Sequence, residues 1–169
     1  NHARATYNAG LLLSDGFEGQ PPDKPKALKL YLQSAKLNSA EAMCDAGLLL
    51  SVGFEGQAPD KRKALELYLQ AAELNSVGGM CNAGTLLAVG FEGQPPDKRK
   101  ALEFYLQSAK LNSAGAMYNA GILFAEGFEG QAPDKSRALG LYLQAAKLND
   151  SYSMFRAGIL LSEGFEGQA

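Results

Sequence analysis

The 169-residue chain has no tryptophan, one histidine, two cysteines and no long apolar run. Each shortage closes off a class of function. His2 with Cys44 and Cys81 is too small a set for a metal cage, and Cys/His nucleophile schemes lack their parts. Runs such as Leu11-Leu12-Leu13 and Ile122-Leu123-Phe124-Ala125 fall far short of the roughly 18 residues that span a bilayer, so no membrane insertion is expected. An excess of one charge is missing too, because 16 Lys and Arg stand against 18 Asp and Glu. Without a cationic field to neutralise phosphates, nucleic acid and anionic membrane surfaces are not expected partners. The opening Asn1-His2-Ala3-Arg4 has neither an initiator Met nor the charged-then-apolar layout of a leader, so targeting cannot be read from it. Phosphate-cradling glycine motifs and a Gly-x-Ser-x-Gly elbow are also missing. The carboxylates recur in near-identical settings, whereas acid–base catalysis needs unlike groups with separated pKa values. No enzyme activity, no metal and no cofactor is therefore expected.

What is present is repetition. Gly-Phe-Glu-Gly-Gln begins at Gly16, Gly53, Gly90, Gly127 and Gly164, always 37 residues apart, so one structural unit is stacked in tandem. The units run at about 5–41, 42–78, 79–115 and 116–152, with a partial one at 153–169. A 74-residue period is superposed on them. The residue after the pentapeptide alternates as Pro21, Ala58, Pro95 and Ala132 but breaks phase at Ala169, while Ser34, Ala71, Ser108 and Ala145 alternate in step. That pattern hints at duplication of a pair of units.

Each unit reads as two helices. Asp23, Asp60, Asp97 and Asp134 precede Lys-rich starts followed by Ala-Leu, where a carboxylate accepts the free amide protons of a first turn. Apolar residues at Ala27, Leu28, Leu30, Tyr31 and Ala35 then follow helical spacing, and Asn38 supplies a residue tolerant of the left-handed conformation. This predicts a helix B over about 24–37 and its equivalents. Ser39, Ser76, Ser113 and Asp150 can cap a helix A over about 40–52 and its equivalents, which must fold back antiparallel. Gly within Ala46-Gly47 and its copies costs roughly 1 kcal/mol relative to Ala. Close approach to small residues such as Ala27 and Ala35 is the expected compensation. The loop Phe (Phe54 and its equivalents) is expected to anchor in the core beneath its loop.

These residues resemble the Sel1-like repeats, relatives of the tetratricopeptide repeats. The resemblance rests on Ala42-Met43-Cys44-Asp45-Ala46-Gly47, the Gly53–Gly56 loop, Asp60, Lys63-Ala64-Leu65-Glu66-Leu67-Tyr68, Ala71-Ala72 and Asn75-Ser76. It runs essentially end to end. Departures are a loop one residue longer, Leu or Phe (Leu30, Leu67, Phe104, Leu141) at a family Trp position, and Asn in place of the turn Gly. The resemblance implies an all-α, right-handed α-solenoid of antiparallel helix pairs. It further implies a protein-interaction scaffold with its A helices on the concave side, and tilts the setting towards extracellular or periplasmic.

On that basis the expected groove carries Asn8, Leu11 and Asp15 from the first A helix, then Asp45, Leu48 and Val52. It continues through Asn82, Thr85 and Val89, then Asn119, Ile122 and Glu126, and closes with Arg156, Ile159 and Glu163. Apolar and polar residues mix there and the copies differ more than at the core positions, as a surface reading a protein or peptide partner requires. Leu32, Leu69, Leu106 and Leu143 form a second ladder at the edge of the buried stripe. It packs between successive B helices or, alternatively, serves as a lateral strip for self-association. The cationic starts, such as Lys61-Arg62-Lys63, read as a solvated face.

Cys44 and Cys81 fall where other units have Tyr7, Tyr118 and Phe155, which indicates packing. Packed helices lie about 8 to 10 Å apart, whereas a disulfide wants Cα atoms within about 7 Å, so no bridge is expected. Asn149-Asp150-Ser151 fits a glycosylation acceptor at a helix turn. Neither end has the polar cap of a finished array, so the chain reads as a segment of a longer one. The alternative function is a structural protein whose copies assemble into a fibre through uncapped ends or the leucine ladder.

Overall fold

A computed structural model of the chain describes residues 2–164. Asn1, the pentapeptide residues after Gly164 and the phase-breaking Ala169 lie outside the described residues. Among the described residues there are nine helices: α1 (His2–Asp15), α2 (Lys24–Ala35), α3 (Ala40–Val52), α4 (Lys61–Glu73), α5 (Val77–Val89), α6 (Lys98–Lys110), α7 (Ala114–Glu126), α8 (Lys135–Lys147) and α9 (Ser151–Glu163). The odd-numbered helices are the A helices and the even-numbered ones the B helices.

Capping chemistry sets the boundaries. Asp23, Asp60, Asp97 and Asp134 accept the backbone N–H three residues on at 2.9–3.0 Å. Each also donates its own N–H, at 2.7 Å, to a carbonyl near the end of the preceding A helix: Leu13, Leu50, Leu87 and Phe124 respectively. One residue thus starts a helix and ties it to its partner. Asp60→Ala removes the side-chain cap but keeps the backbone tether, so it is expected to cost about 1 kcal/mol in a urea titration. At the other end Asn38, Asn75, Asn112 and Asn149 all have φ between 59° and 64°. Ser39, Ser113 and Asp150 then cap the next helix, and Ser76 accepts from the Gly79 N–H.

The pairs are antiparallel by direct contact. The start of α2 is tied to Leu13 near the end of α1, while Ser34, near the end of α2, donates to the Ala3 carbonyl in the first turn of α1 at 2.8 Å. The chain divides into two compact units, 1–86 and 87–169. In the first, α1 packs on α2, α2 on α3 and α3 on α4; in the second, α6 packs on α7, α7 on α8 and α8 on α9.

The core repeats with the sequence. Ala27, Ala64, Ala101 and Ala138 are fully buried, and Tyr31, Tyr68, Tyr105 and Tyr142 nearly so. The structure corrects the expected role of the helix-A glycines. A Cβ on Gly10, Gly47 or Gly121 would lie 2.5–2.6 Å from the ring of Tyr31, Tyr68 or Tyr142. The space left by each glycine is filled by a tyrosine ring from the paired B helix, not by facing alanines. Close backbone approach occurs instead at Gly79, whose Cβ would meet Ala71 Cβ at 2.7 Å and Ala72 N at 2.8 Å.

The loop phenylalanine is also not the core anchor expected. Phe17 is exposed and Phe54, Phe91 and Phe128 are only half-buried. Each exchanges two backbone hydrogen bonds with the Gln three residues on. This two-residue turn holds the ring at the lip of the loop, beside Pro22 and Pro25 in the case of Phe54.

Candidate protein-binding face

The A helices of the first unit place the expected residues as follows. On α1, Asn8 and Asp15 are exposed and Leu11 is half-buried. On α3, Asp45 is half-buried while Leu48 and Val52 are 53% and 68% exposed. On α5, Asn82 is half-buried and Thr85 exposed. In the second unit Val89, Glu126, Arg156 and Glu163 are exposed, and Asn119, Ile122 and Ile159 are half-buried. Helical spacing puts each trio on one side of its own helix.

Asp45 is the centre of the first unit's face. Its Oδ2 accepts the Tyr7 hydroxyl at 2.9 Å. Burial pushes its carboxyl above the ordinary carboxylate range; the Tyr7 bond opposes this, and the negative Asp15 and Glu41 add to it. The same burial and the Asp45 bond push the Tyr7 hydroxyl strongly upward. Tyr7 also packs against Tyr31, with ring centroids 5.8 Å apart. A shallow hollow beside them is lined by Arg4, Tyr7, Asn8, Leu37 and Glu41.

A carboxylate whose pKa is raised on folding is held ionised at neutral pH at the expense of stability. The sign follows from linkage. The stabilising contribution of the raised pKa is fully present below the unfolded-state value and is lost as pH rises through the folded one. Asp45→Asn, the residue found at the equivalent positions 8, 82 and 119, keeps an acceptor for Tyr7 and removes the charge. It is expected to raise the melting temperature at pH 7 and to lose that advantage under acid conditions where Asp45 is protonated. Thermal melts at the two pH values read the difference.

The second unit replaces this carboxylate with a cation. Arg156 stands beside Tyr118, whose hydroxyl raises the guanidinium pKa. Tyr118 lies between Tyr142 and Tyr152, at centroid distances of 6.0 and 6.1 Å. Burial, ahead of its charged neighbours, pushes the Tyr142 hydroxyl up to about 12. The two faces therefore share a geometry and differ in charge.

Of the second ladder, Leu32, Leu69 and Leu106 are half-buried and Leu143 is exposed. A different set is uniformly open: Leu37, Leu74, Leu111 and Leu148, at the close of each B helix, are 44–49% exposed. The sequence reading missed these, and it missed the Tyr7–Asp45 bond. The 37-residue period flags the leucines, but only the burial pattern separates them from the core leucines seven to nine residues earlier. The cationic helix starts pair locally, as in Lys26–Asp23 at 2.8 Å and Arg137–Asp134 at 3.2 Å. Such exposed pairs contribute little. Cys44 is a half-buried free thiol 3.6 Å from the Ser76 hydroxyl, and burial raises its pKa. Among the described residues no His, Cys, Asp and Glu group is arranged to hold a metal, and no helix is long and apolar enough to cross a membrane.

The helix pairs, their loop and the Asn turn define the chain's class. The Sel1 repeat matches it four times, at residues 3–39, 40–76, 78–113 and 114–150. The chain belongs to the Sel1 repeat family. Such repeats form helical solenoids that are typically non-catalytic and generally mediate protein interactions. Among solved structures it is similar to a protective antigen of uropathogenic Escherichia coli, at 23% identity and a TM-score of 0.88 over 97% of this chain and 35% of that one. It is also similar to a Sel1 repeat protein of Oxalobacter formigenes, at 27% identity and a TM-score of 0.81 over 94% of this chain and 63% of that one. An immunity protein of Pseudomonas aeruginosa matches at 20% identity and a TM-score of 0.63 over 94% of this chain and 58% of that one. The chain thus spans about a third of the first relative and less than two thirds of the second. No curated protein matches it significantly in sequence.

Proposed function

We propose that this chain is a non-catalytic scaffold whose A-helix faces dock a protein or peptide partner. The observation that carries this reading is the setting of Asp45. A half-buried carboxylate is kept at a cost in stability, where three other repeats have Asn, beside two open aliphatic side chains, Leu48 and Val52. Packing demands none of the three. Perturbed ionisable groups and apolar anchors on a rigid helix are the usual marks of a recognition surface. In the second unit Ile122 and Ile159 supply the apolar part and Arg156 the charge.

Peptides selected from a displayed library against the native chain provide the test. Selected binders are expected to lose most of their affinity for Leu48→Lys or Ile122→Lys, while both variants keep the native melting curve. Binders that ignore both substitutions would place recognition on another face.

A further inference from the structure

Two of the A helices carry a charge where the repeat otherwise has asparagine. At intervals of 37 the residues at that position are Asn8, Asp45, Asn82, Asn119 and Arg156. The residue 38 positions earlier is Tyr7 for Asp45 and Tyr118 for Arg156, but Cys44 for Asn82 and Cys81 for Asn119. A tyrosine therefore accompanies each charge. Tyr7 donates to Asp45 Oδ2 at 2.9 Å, and Tyr118 stands beside Arg156. The same tyrosine position accommodates either sign, so the fold does not dictate which charge is there.

The charge of Asp45 is unmatched within its own unit. Oδ2 takes the Tyr7 hydroxyl, while Oδ1 has no partner among the described residues. Nor is Oδ1 sealed from solvent, because the one sealed and unpartnered side-chain polar atom among the described residues is Ser153 Oγ. The charged groups acting on Asp45 are Asp15 and Glu41, both negative. Arg4 lines the hollow that Glu41 also lines, yet among the described residues no ion pair joins it to any of the three carboxylates. One and two turns further along the same side of α3, Leu48 and Val52 stand open. The face of α3 thus offers an accessible carboxylate oxygen in negative surroundings, followed by two aliphatic side chains.

We propose that the first unit's A-helix face selects a partner segment in which a Lys or Arg stands close to an aliphatic residue. This rests on the docking role proposed above and adds the chemistry of what docks. The cationic head donates to Asp45 Oδ1, its methylene stem lies along Leu48, and the aliphatic residue covers Val52. From Asp45 to Val52 the helix rises about 10 Å, a distance that an extended segment spans in about three residues. The motif is therefore a basic and an aliphatic residue about three positions apart, in either chain direction. A metal ion is not the cation selected, because among the described residues no His, Cys, Asp and Glu group is arranged to hold one.

The probes are peptides selected from a displayed random library against the native chain and weakened by Leu48→Lys, which marks them as ligands of this face. Sequencing is expected to show the basic and aliphatic pair enriched over the unselected library. Fluorescence anisotropy is expected to show affinity falling by about tenfold or more on Asp45→Asn. That variant keeps an acceptor for Tyr7, and a melting temperature no lower than that of the native chain separates lost charge from lost fold. Asp45→Lys, titrated with the same peptide carrying Glu at its basic position, is expected to recover binding, which a merely structural role for Asp45 does not produce. Leu48-dependent peptides without the enriched basic residue, or indifferent to Asp45→Asn, overturn the inference and leave the docking role standing. Selected peptides that all ignore Leu48→Lys overturn it together with the docking role of the first unit.

Discussion

Gly47→Ala is expected to destabilise the first unit by about 1 to 2 kcal/mol, although it replaces a poor helix former with the best one. The new Cβ would lie 2.5 Å from the Tyr68 ring, and that ring is 2% exposed with nowhere to move. Overpacking a tight core costs about 1–3 kcal/mol, against a gain of up to about 1 kcal/mol in helix propensity. The clash wins. Tyr68→Ala alone is expected to cost about 3–5 kcal/mol, as deletion of a large buried aromatic does. In that background Gly47→Ala should become neutral or stabilising, because its nearest obstacle is gone. Urea titrations of the four proteins form a double-mutant cycle. A strongly favourable coupling supports the notch-and-ring account, and additive effects would refute it. Gly121 and Tyr142 repeat the arrangement in the second unit.

The second large effect concerns the loop. Gly53 adopts φ 76°, ψ 175°, a region that is essentially glycine's own and costs other residues about 1–3 kcal/mol. A Cβ there would also sit 2.7 Å from the Gln57 carbonyl oxygen and 2.9 Å from Pro59. These are backbone and ring atoms of a turn closed by two hydrogen bonds, so neither can yield cheaply. Gly53→Ala is therefore expected to cost more than about 2 kcal/mol. Gly56→Ala is the control, since Gly56 has φ 80° but open space around it. Only conformational strain applies there, so the smaller loss is expected at Gly56. Equal losses would mean that the Gly53 contacts are unimportant.

Much of the fold was legible because its determinants are local and recur. Asp23 and Asn38 announce the limits of α2 through backbone chemistry that depends on their immediate neighbours alone, and three more copies repeat the message. The glycines were legible as a cost but not as a notch, because seeing the notch requires knowing which face of helix B presents Tyr68. The loop phenylalanine was misread for a similar reason. Apolar character suggests burial, yet the two-residue turn at Phe54 to Gln57 directs the ring to the lip. On the proposed docking face the residue types were readable from α1, α3 and their copies. The Tyr7–Asp45 bond was not, since it joins residues 38 positions apart across two helices. The open Leu37 ladder depends on what fails to cover it, and a sequence does not record its uncovered surfaces.

The central claim is that the A-helix faces are where a partner docks. The most direct measurement is amide chemical-shift mapping of an isotopically labelled chain titrated with a library-selected peptide. The account predicts saturable shifts concentrated on A-helix positions such as Asn8, Asp45, Leu48 and Val52, or Ile122 and Arg156, with the B helices quiet. Shifts concentrated on the lysine-rich starts of the B helices, or along Leu37, Leu74, Leu111 and Leu148, would contradict it.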